Sequence, residues 1–296
     1  MNSKRYSILG IGEILWDMLP GGKKPGGAVG NFIYFCNILG CEGRITSSVG
    51  DDGLGAEIIE HVKNNGMDSS FLQVDPDHPT GTVDVKLDNA GKPEYVIHEN
   101  VAWDFIRLKP GLLEFAQNAD ALCFGSLGQR SAVSRESIQK AVNNAQQDAL
   151  IMCDINLRQD FYSREIINWS CEAADIIKLN DEELPVIGNL LGMYGNDEGI
   201  AEGLIETFNL DLVALTRGDK GSVLFTQDGI SEHPGIPAEV VDSVGAGDAF
   251  AAAVMVGLLE GRDLDTINDR ANIVASYVCS QTGPTPEVPE EVISYQ

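Results

Sequence analysis

The chain has 296 residues, 43% of them hydrophobic and 22% charged, and its formal net charge at pH 7 is -25. The charge excludes binding to nucleic acid or to anionic membrane surfaces, since both need a positive footprint. No apolar run approaches the ~18 residues that span a bilayer. The six cysteines form no CxxC pair, the four histidines do not cluster, and the N-terminus does not read as a signal peptide, so we expect a cytoplasmic protein with reduced thiols and no zinc.

Short β-rich runs alternate with helical patterns along most of the chain, which is typical of a mainly parallel sheet covered by helices. No repeat or low-complexity linker divides the sequence, so we expect a single α/β domain over residues 1–296. In chain order, the expected strands are 6–10, 44–49, 121–124, 150–154, 176–178, 212–216 and 222–225, and the expected helices are 29–39, 54–64, 131–147, 181–188, 199–208, 249–260 and 267–280.

One stretch departs from this alternation. Residues 80–87 and 94–98 alternate in the β manner around a turn at 89–92, which predicts a hairpin. A hairpin inserted into a βα series often stands off the main sheet. Together with the loop at 13–27 it would form a lid from segments near 13–27 and 78–105; the alternative is an edge hairpin without functional motion.

The segment 242–248 is the most informative in the chain. Gly245, Ala246 and Gly247 lead directly into a small-residue helix, whose unpaired amides and positive dipole end favour an anion. Asp248 lies where that anion would bind, so we interpret it as a base that takes a proton from a hydroxyl attacking a bound phosphate. The alternative is an ordinary helix start with an acidic first-turn residue.

Two further segments follow expected strands. Asn180 and Glu183, at i and i+3, could meet a phosphate and hydrated Mg²⁺, or they could simply cap the next helix. Arg158 could clamp a transferred phosphate or make a surface ion pair.

Glycine-rich turns complete the set of motifs. Residues 26–31 place small side chains before a helix, which allows either a close backbone approach to a ligand or only a tight turn. Residues 216–221 could cradle a nucleotide or form a plain hairpin loop. The Walker A pattern is absent, and Phe250 stands at the third glycine position of a dinucleotide fingerprint, so neither of those nucleotide-binding classes fits.

In their order and separation, the motifs at 26–31, 180–183, 216–221 and 242–248 resemble those of the PfkB/ribokinase family of small-molecule kinases. The resemblance covers essentially the whole chain. It implies a ribokinase-like three-layer α/β/α fold with a mainly parallel central sheet and a small β lid. The opening at 12–17 resembles the fructokinase branch.

The resemblance also implies roles for individual residues. Asp248 would be the base, the amides of residues 245–247 would form the anion hole, and Arg158 would steady the phosphoryl group. Asp17, Gly27 and Asn31, with Asp248, would bind the sugar. The nucleotide side would comprise Asn180, Thr216, Gly218, Gly221, Gly247 and Asn272, and Glu183 would hold Mg²⁺ through water.

Substrate choice is read from departures within these motifs. Ala28 stands where relatives acting on phosphorylated sugars often carry lysine, which favours an unphosphorylated sugar. Glu13 replaces the asparagine usual in ribokinase-like members and favours fructose. Kinases for 2-keto-3-deoxygluconate, ribose or a nucleoside stay open as alternatives, as does a non-catalytic sensor on the same scaffold.

The expected partners are therefore a small sugar, ATP and Mg²⁺. Some family members need K⁺ near the anion hole, but Pro284 stands where an alanine is usual, which argues against a K⁺ requirement here. Lid hairpins in the family can pair between subunits, so a homodimer through the lid is an open expectation.

Overall fold

The computed structural model describes residues 5–19, 21–87 and 93–294. The strands are β1 (Ser7–Ile11), β2 (Leu15–Leu19), β3 (Gly22–Gly26), β4 (Glu42–Gly50), β5 (Leu72–Asp75), β6 (Thr82–Leu87), β7 (Pro93–Ile97), β8 (Ala121–Gly125), β9 (Leu150–Asp154), β10 (Ile176–Asn180), β11 (Leu212–Thr216), β12 (Ser222–Phe225) and β13 (Ile230–His233). The helices are α1 (Ala28–Ile38), α2 (Gly53–Asn64), α3 (Leu112–Asn118), α4 (Ala132–Asn143), α5 (Arg164–Ala173), α6 (Glu183–Leu191), α7 (Asp197–Phe208), α8 (Ala246–Leu259), α9 (Leu264–Cys279) and α10 (Glu290–Ile293).

The large sheet has nine strands in the order β13-β12-β11-β10-β9-β8-β1-β4-β5. It is parallel except where β12 pairs with β11 and with β13. Alternate side chains of β1 enter two different apolar cores, Leu9 and Ile11 on one face and Ile8 on the other. Both faces are therefore covered by helices, and the expected three-layer α/β/α arrangement is confirmed.

The strand order predicts a ligand crevice at one edge of the sheet. Strand β1 has β4, the next strand of this sheet in the chain, on one side and β8 on the other, so the strand order reverses at β1. In open α/β sheets, ligands bind outside the carboxyl ends of the strands at such a switch point. The segments after β1, β8, β9, β10 and β11 all meet at that edge.

Helix α8 is the innermost helix of the described residues. All positions from Ala249 to Gly257 are buried, and the helix packs against both α1 and α9. Its small side chains let the neighbouring helices approach closely, which leaves its first turn rigidly placed at the crevice.

A second, smaller sheet of four strands forms the lid, in the order β3-β2-β6-β7. The predicted hairpin at 80–87 and 94–98 is confirmed as the antiparallel pair β6 and β7; its expected turn at 89–92 lies outside the described residues. The segment 13–27, expected as a loop, instead contains the antiparallel strands β2 and β3. Its Gly-Lys-Lys-Pro-Gly run lacks the alternation of a strand, but an edge strand tolerates Pro25 and exposed lysines.

The lid is anchored on the main body through its Trp16 face. The indole Nε1 of Trp16 donates to the carbonyl of Leu54 at 3.0 Å, at the start of α2. Lys23 lies over the same ring and forms an ion pair with Glu57 of α2. These contacts fix one side of the lid, so its other side is held toward the crevice.

Other differences from the sequence-based expectation are local. Helix α5 is not predicted, because its buried stripe is short and includes Ser170 among its apolar positions. The helix expected at 131–147 ends at Asn143, where a polar run follows. None of the helices within the described ranges is long and apolar enough to cross a membrane.

Candidate active site

The first turn of α8 is built around Gly245. This residue has φ 85°, and a Cβ there would lie 2.2 Å from the carbonyl oxygen of Pro284. Glycine is therefore the residue that fits this position. The first amides of an α-helix have no partner within the helix and lie at the positive end of its dipole. The Ala246 amide makes only a long hydrogen bond, 3.4 Å, to the Ser243 carbonyl, so the amides of this first turn could serve an anion.

Asp248 lies on this first turn and is linked to the opposite end of the chain. The side-chain amide of Asn31, in the second turn of α1, donates to Asp248 Oδ2 at 2.8 Å. Removal from water raises the pKa of Asp248 to about 6, and the nearby carboxylate of Asp154 adds to the rise. Lys178 and the Asn31 hydrogen bond act in the opposite direction. The carboxylate therefore keeps some basicity near neutral pH, which suits a general base.

A buried ion pair lies directly beneath this turn. Lys178 of β10 and Asp154 at the end of β9 are register neighbours, and the lysine Nζ lies 3.0 and 3.2 Å from the two carboxylate oxygens. A Cβ added at Gly247 would lie 3.1 Å from the same Nζ, so the ammonium packs against the first turn of α8. Burial lowers the pKa of Lys178, but Asp154, Glu183 and Asp248 outweigh it, and the pKa lies above its ordinary value.

Sequence reasoning missed this pair. The strands expected at 150–154 and 176–178 end at Asp154 and Lys178, but the sequence pattern assigns neither side chain a role. A lysine inside an otherwise apolar strand such as Ile176–Asn180 is a usable signal, because buried lysines are almost always paired. Identifying the partner requires knowing that β9 and β10 are neighbours.

Asn180 and Glu183 form a reciprocal cap at the start of α6. Asn180 Oδ1 accepts from the amides of Glu182 and Glu183, each at 2.9 Å, and Glu183 Oε2 accepts from the Asn180 amide at 2.9 Å. Glu183 Oε1 also accepts from the amide of Leu157 at 2.7 Å. The capping alternative therefore describes the geometry seen, and Glu183 ties the loop after β9 to the next helix.

The donors present suit a metal ion that arrives with phosphates rather than one held by the protein alone. No group of three or more His, Cys, Asp or Glu side chains that could hold a metal occurs in the part of the chain that is described. Each carboxylate oxygen of Glu183 accepts one amide hydrogen bond and keeps a second lone pair. That lone pair could accept a hydrogen bond from a metal-bound water. Mg²⁺ usually keeps several waters and is held by one or two carboxylates plus substrate phosphates, so the residues fit that ion.

The expected sugar side lies between the lid and α1. Gly27 has φ 110°, and a Cβ there would lie 2.4 Å from the carbonyl oxygen of Glu13, so the chain approaches itself closely. Burial raises the pKa of Asp17 on β2 to about 6; Arg158 opposes this rise and Asp242 adds to it. The pKa of Asp17 therefore responds to charges on the loop after β9 and on the segment before α8.

Glu13 is the most deeply buried acid of this region, with 2% of its surface exposed. Burial raises the pKa of Glu13 to about 7, and its Oε2 has no hydrogen-bond partner among the residues described. The charge of Asp248 contributes to the rise, whereas that of Arg158 opposes it. Glu13 therefore lies within electrostatic range of Asp248.

Arg158 is exposed on the loop after β9, and its Nη1 donates to the Leu157 carbonyl at 3.0 Å. Its positive charge lowers the pKa of Glu13, Asp17 and Asp248. The loop is unusual, since Asn156 has φ 42° and Gln159 has φ 47°. Strained non-glycine residues of this kind cluster at functional sites.

The residues expected on the nucleotide side are divided between the segment at and after the end of β11 and the interior of the protein. Thr216 is the register partner of Asn180, and its hydroxyl donates to the Leu179 carbonyl at 3.3 Å. Gly218 and Gly221 have φ values of 58° and 81° and bound a short 3-10 helix. Asn272 is buried, and its amide donates to Ser222 Oγ at 2.7 Å within an interior network. Its contact with adenine stays a prediction.

The raised pKa of Asp248 predicts how the activity depends on pH. Because a base must be deprotonated to act, kcat/KM should rise as the pH increases through about 6. The Asn31 amide lowers this pKa, so Asn31→Ala should move the acidic limb to higher pH; a pH–rate profile measures the shift. Asn37→Ala is the control, since Asn37 lies on the same helix and bonds instead to Gly43. An unmoved limb in Asn31→Ala would contradict the assignment.

Sequence comparison gives a family match over most of the chain. The model of the pfkB family of carbohydrate kinases matches residues 20–291. A protein of Pyrococcus horikoshii, named as an uncharacterized sugar kinase, is 29% identical over 317 residues, covering 100% of this chain and 97% of its own. The fructokinase of Escherichia coli is 26% identical over 296 residues, covering 94% of this chain and 95% of its own.

Solved structures extend the likeness to three dimensions. The Pyrococcus horikoshii protein in complex with ATP matches with a TM-score of 0.78 at 29% identity, over 94% of each chain. A double mutant of the Vibrio cholerae fructokinase, solved with fructose, ADP and a potassium ion, matches with a TM-score of 0.83 at 24% identity, over 99% of this chain and 98% of its own. At 24% identity, the likeness to the Vibrio cholerae protein shows the fold alone.

Proposed function

The chain belongs to the pfkB family of carbohydrate kinases, and from that membership we propose that it transfers the γ-phosphoryl group of Mg·ATP to a hydroxyl of an unphosphorylated sugar, with fructose as the favoured substrate. The observation that carries the proposal is the Asp248 carboxylate, which lies on the first turn of α8 and accepts a hydrogen bond from Asn31 at 2.8 Å. A base at this position would lie beside the amides at the start of α8. The arrangement suits an attack by a hydroxyl on a bound phosphate.

The residues divide the reaction between them. Asp248 takes the proton of the sugar hydroxyl as its oxygen forms a bond to the γ-phosphorus, and the bond from that phosphorus to the bridging oxygen of ADP breaks. The amides at the start of α8, with the Lys178 ammonium beneath them, stabilise the charge on the transferring group. Arg158 approaches from the loop after β9. Phosphoryl transfer needs such alignment and charge compensation more than covalent chemistry.

The remaining assignments belong to the same proposal. Mg²⁺ would enter with ATP and be steadied through water by Glu183 and Asn180, where it neutralises phosphate charge. Asn180, Thr216, Gly218, Gly221, Gly247 and Asn272 would serve the nucleotide, and Asp17, Gly27 and Asn31 the sugar. We also propose one domain whose lid comes from segments near 13–27 and 78–105.

The choice of an unphosphorylated sugar and the choice of fructose rest on separate grounds. The position of Ala28, at the start of α1, offers no charge for a sugar phosphate, and the net charge of -25 adds no general attraction for one. Relatives over most of the chain are named fructokinases, at 26% identity in Escherichia coli. Kinases for 2-keto-3-deoxygluconate, ribose or a nucleoside are the alternatives that a substrate panel separates.

Three secondary proposals concern the surroundings of the enzyme. We propose that K⁺ is dispensable, because the Asp242 carboxylate near the anion hole is already paired with Lys24 at 2.6 Å.

A cytoplasmic location is supported by six cysteines that are all free thiols. The remaining proposal is a homodimer that forms through the lid. Measuring the molecular mass in solution at several protein concentrations tests it.

The proposal is tested by measuring ADP release with Mg·ATP against fructose, ribose, 2-keto-3-deoxygluconate, fructose 6-phosphate and adenosine. We expect strong stimulation by fructose and slow ATP hydrolysis without any sugar, because a lid that excludes water spares ATP. Stimulation by fructose 6-phosphate alone would overturn the argument from Ala28. Equal ATP hydrolysis with and without every sugar would contradict gating by the lid.

A further inference from the structure

A lysine of the lid reaches across the crevice to the loop that leads into α8. Lys24 on β3 is the register partner of Asp17 on β2, and residues paired in this way project from the same face of a sheet. The Lys24 Nζ lies 2.6 Å from Asp242 Oδ2, and the two residues are 218 positions apart. The side chains are 32% and 16% exposed, so the pair is partly withdrawn from water.

Asp242 joins the segments that support the anion hole. Its Oδ1 accepts from the Val244 amide at 3.1 Å, and its Oδ2 accepts from the Gly283 amide at 3.2 Å. The next residue after Gly283 is Pro284, whose carbonyl oxygen lies against Gly245. The Asp242 carboxylate therefore connects residues 242–244, which lead to Gly245, with residues 283–284, against which Gly245 packs.

This carboxylate is negative where an anion must bind. Burial acts to raise the pKa of Asp242, but the hydrogen bonds from Lys24, Val244 and Gly283 outweigh it, so the pKa lies below its ordinary value. A phosphate held by the first turn of α8 would be repelled by this charge, and the net charge of -25 gives no general relief. The compensating ammonium comes from the lid.

We propose that Lys24 is a positioning residue of the phosphoryl transfer: its ion pair with Asp242 completes the charge balance and the shape of the anion hole when the lid lies against the main body. The inference rests on the proposed kinase function and deepens it. It gives the lid a second role besides covering the sugar, because lid closure then controls how well the ATP phosphates are stabilised.

The neighbouring lysine provides a matched control. Lys23 is adjacent in sequence and equally charged, but it lies over the Trp16 ring and pairs with Glu57 of α2, away from Asp242. Lys23→Ala and Lys24→Ala therefore remove the same charge from the same strand on opposite faces. A general effect of lid charge or lid stability would appear in both variants.

The first test compares the kinetics of the two alanine variants with the preferred sugar. We expect Lys24→Ala to lower kcat on the order of 10–100-fold, the size of a small misplacement of reacting groups, and Lys23→Ala to change it little. Lys24→Arg should retain most activity. Ethylammonium should restore part of the activity of Lys24→Ala, whereas tetramethylammonium at equal ionic strength should not. Equal losses in both alanine variants, or no effect of ethylammonium, would overturn the proposal.

A second measurement does not depend on turnover. Hydrogen exchange followed with and without Mg·ATP should show residues 22–26 and 242–245 gaining protection together in the wild-type protein. In Lys24→Ala the two segments should respond independently, with an unchanged unfolding midpoint. Joint protection that persists in this variant would refute the coupling. A wild-type protein that shows joint protection but phosphorylates no sugar would instead contradict the proposed function.

Discussion

Replacing Asp248 by alanine is expected to lower kcat by about 10²–10⁴-fold, the usual contribution of a general base. The carboxylate lies on the first turn of α8, and the Asn31 amide fixes its orientation at 2.8 Å. Without it, the sugar hydroxyl must lose its proton to water, which is a weak base held in no fixed place. Steady-state kinetics with saturating Mg·ATP and the preferred sugar measure the effect.

The controls separate the loss of the base from damage to the fold. ATP binding, measured by calorimetry, and the unfolding midpoint should stay close to those of the wild-type protein, since the alanine removes a carboxylate that is costly to bury. Asp197→Ala is the matched variant, because Asp197 is also an acidic first-turn residue, on the exposed start of α7. Near-normal turnover in the Asp248 variant would exclude it as the base.

Lys178→Met is expected to have the second largest effect, on stability and activity together. The substitution leaves the Asp154 carboxylate buried without its cation; the two side chains are only 8% and 6% exposed. Breaking a buried pair from one side typically costs about 3–5 kcal/mol of unfolding free energy. It also removes a positive charge from beneath Gly247, so kcat should fall on the order of 10²-fold or more.

A double variant separates these two effects. Lys178→Met combined with Asp154→Leu replaces the pair by apolar groups, which is often neutral for stability. Most of the lost unfolding free energy should therefore return while kcat stays low. Denaturant unfolding and kinetics on the same preparations give both values, with Lys140→Met as a surface control whose pair with Glu136 is exposed. Wild-type kcat in the double variant would show that Lys178 is purely structural.

The elements that could be predicted from sequence are those whose apolar runs are buried on both sides. Strands such as β8 and β9 are almost continuously apolar, and their positions are confirmed closely. Strands β2 and β3 were expected as a loop, because an edge strand that carries Lys23, Lys24 and Pro25 has no alternation to detect. Their pairing is decided by tertiary contacts such as that of Trp16 with α2.

The candidate site also divides into residues that could be recognised from the sequence and residues that could not. The glycines around Asp248 could be recognised because their backbone geometry is demanding, as the φ of 85° at Gly245 shows. The partnership of Lys178 with Asp154 could not be recognised, because it depends on the register of two strands that are 24 positions apart. For Asn180 and Glu183 the spacing allowed both a cap and a metal role, and the hydrogen bonds show the cap.

The hydrogen bond between Asn31 and Asp248 joins residues that are 217 positions apart. During synthesis the groups expected to hold the sugar, on β2 and α1, leave the ribosome long before the helix that carries the base. A growing chain that ends before α8 lacks Asp248 and the glycines before it, so under the proposed mechanism it cannot transfer phosphate from ATP. The packing of α8 against α1 and α9 also forms only at that late stage, so the chain that first binds the sugar is expected to gain kinase activity last.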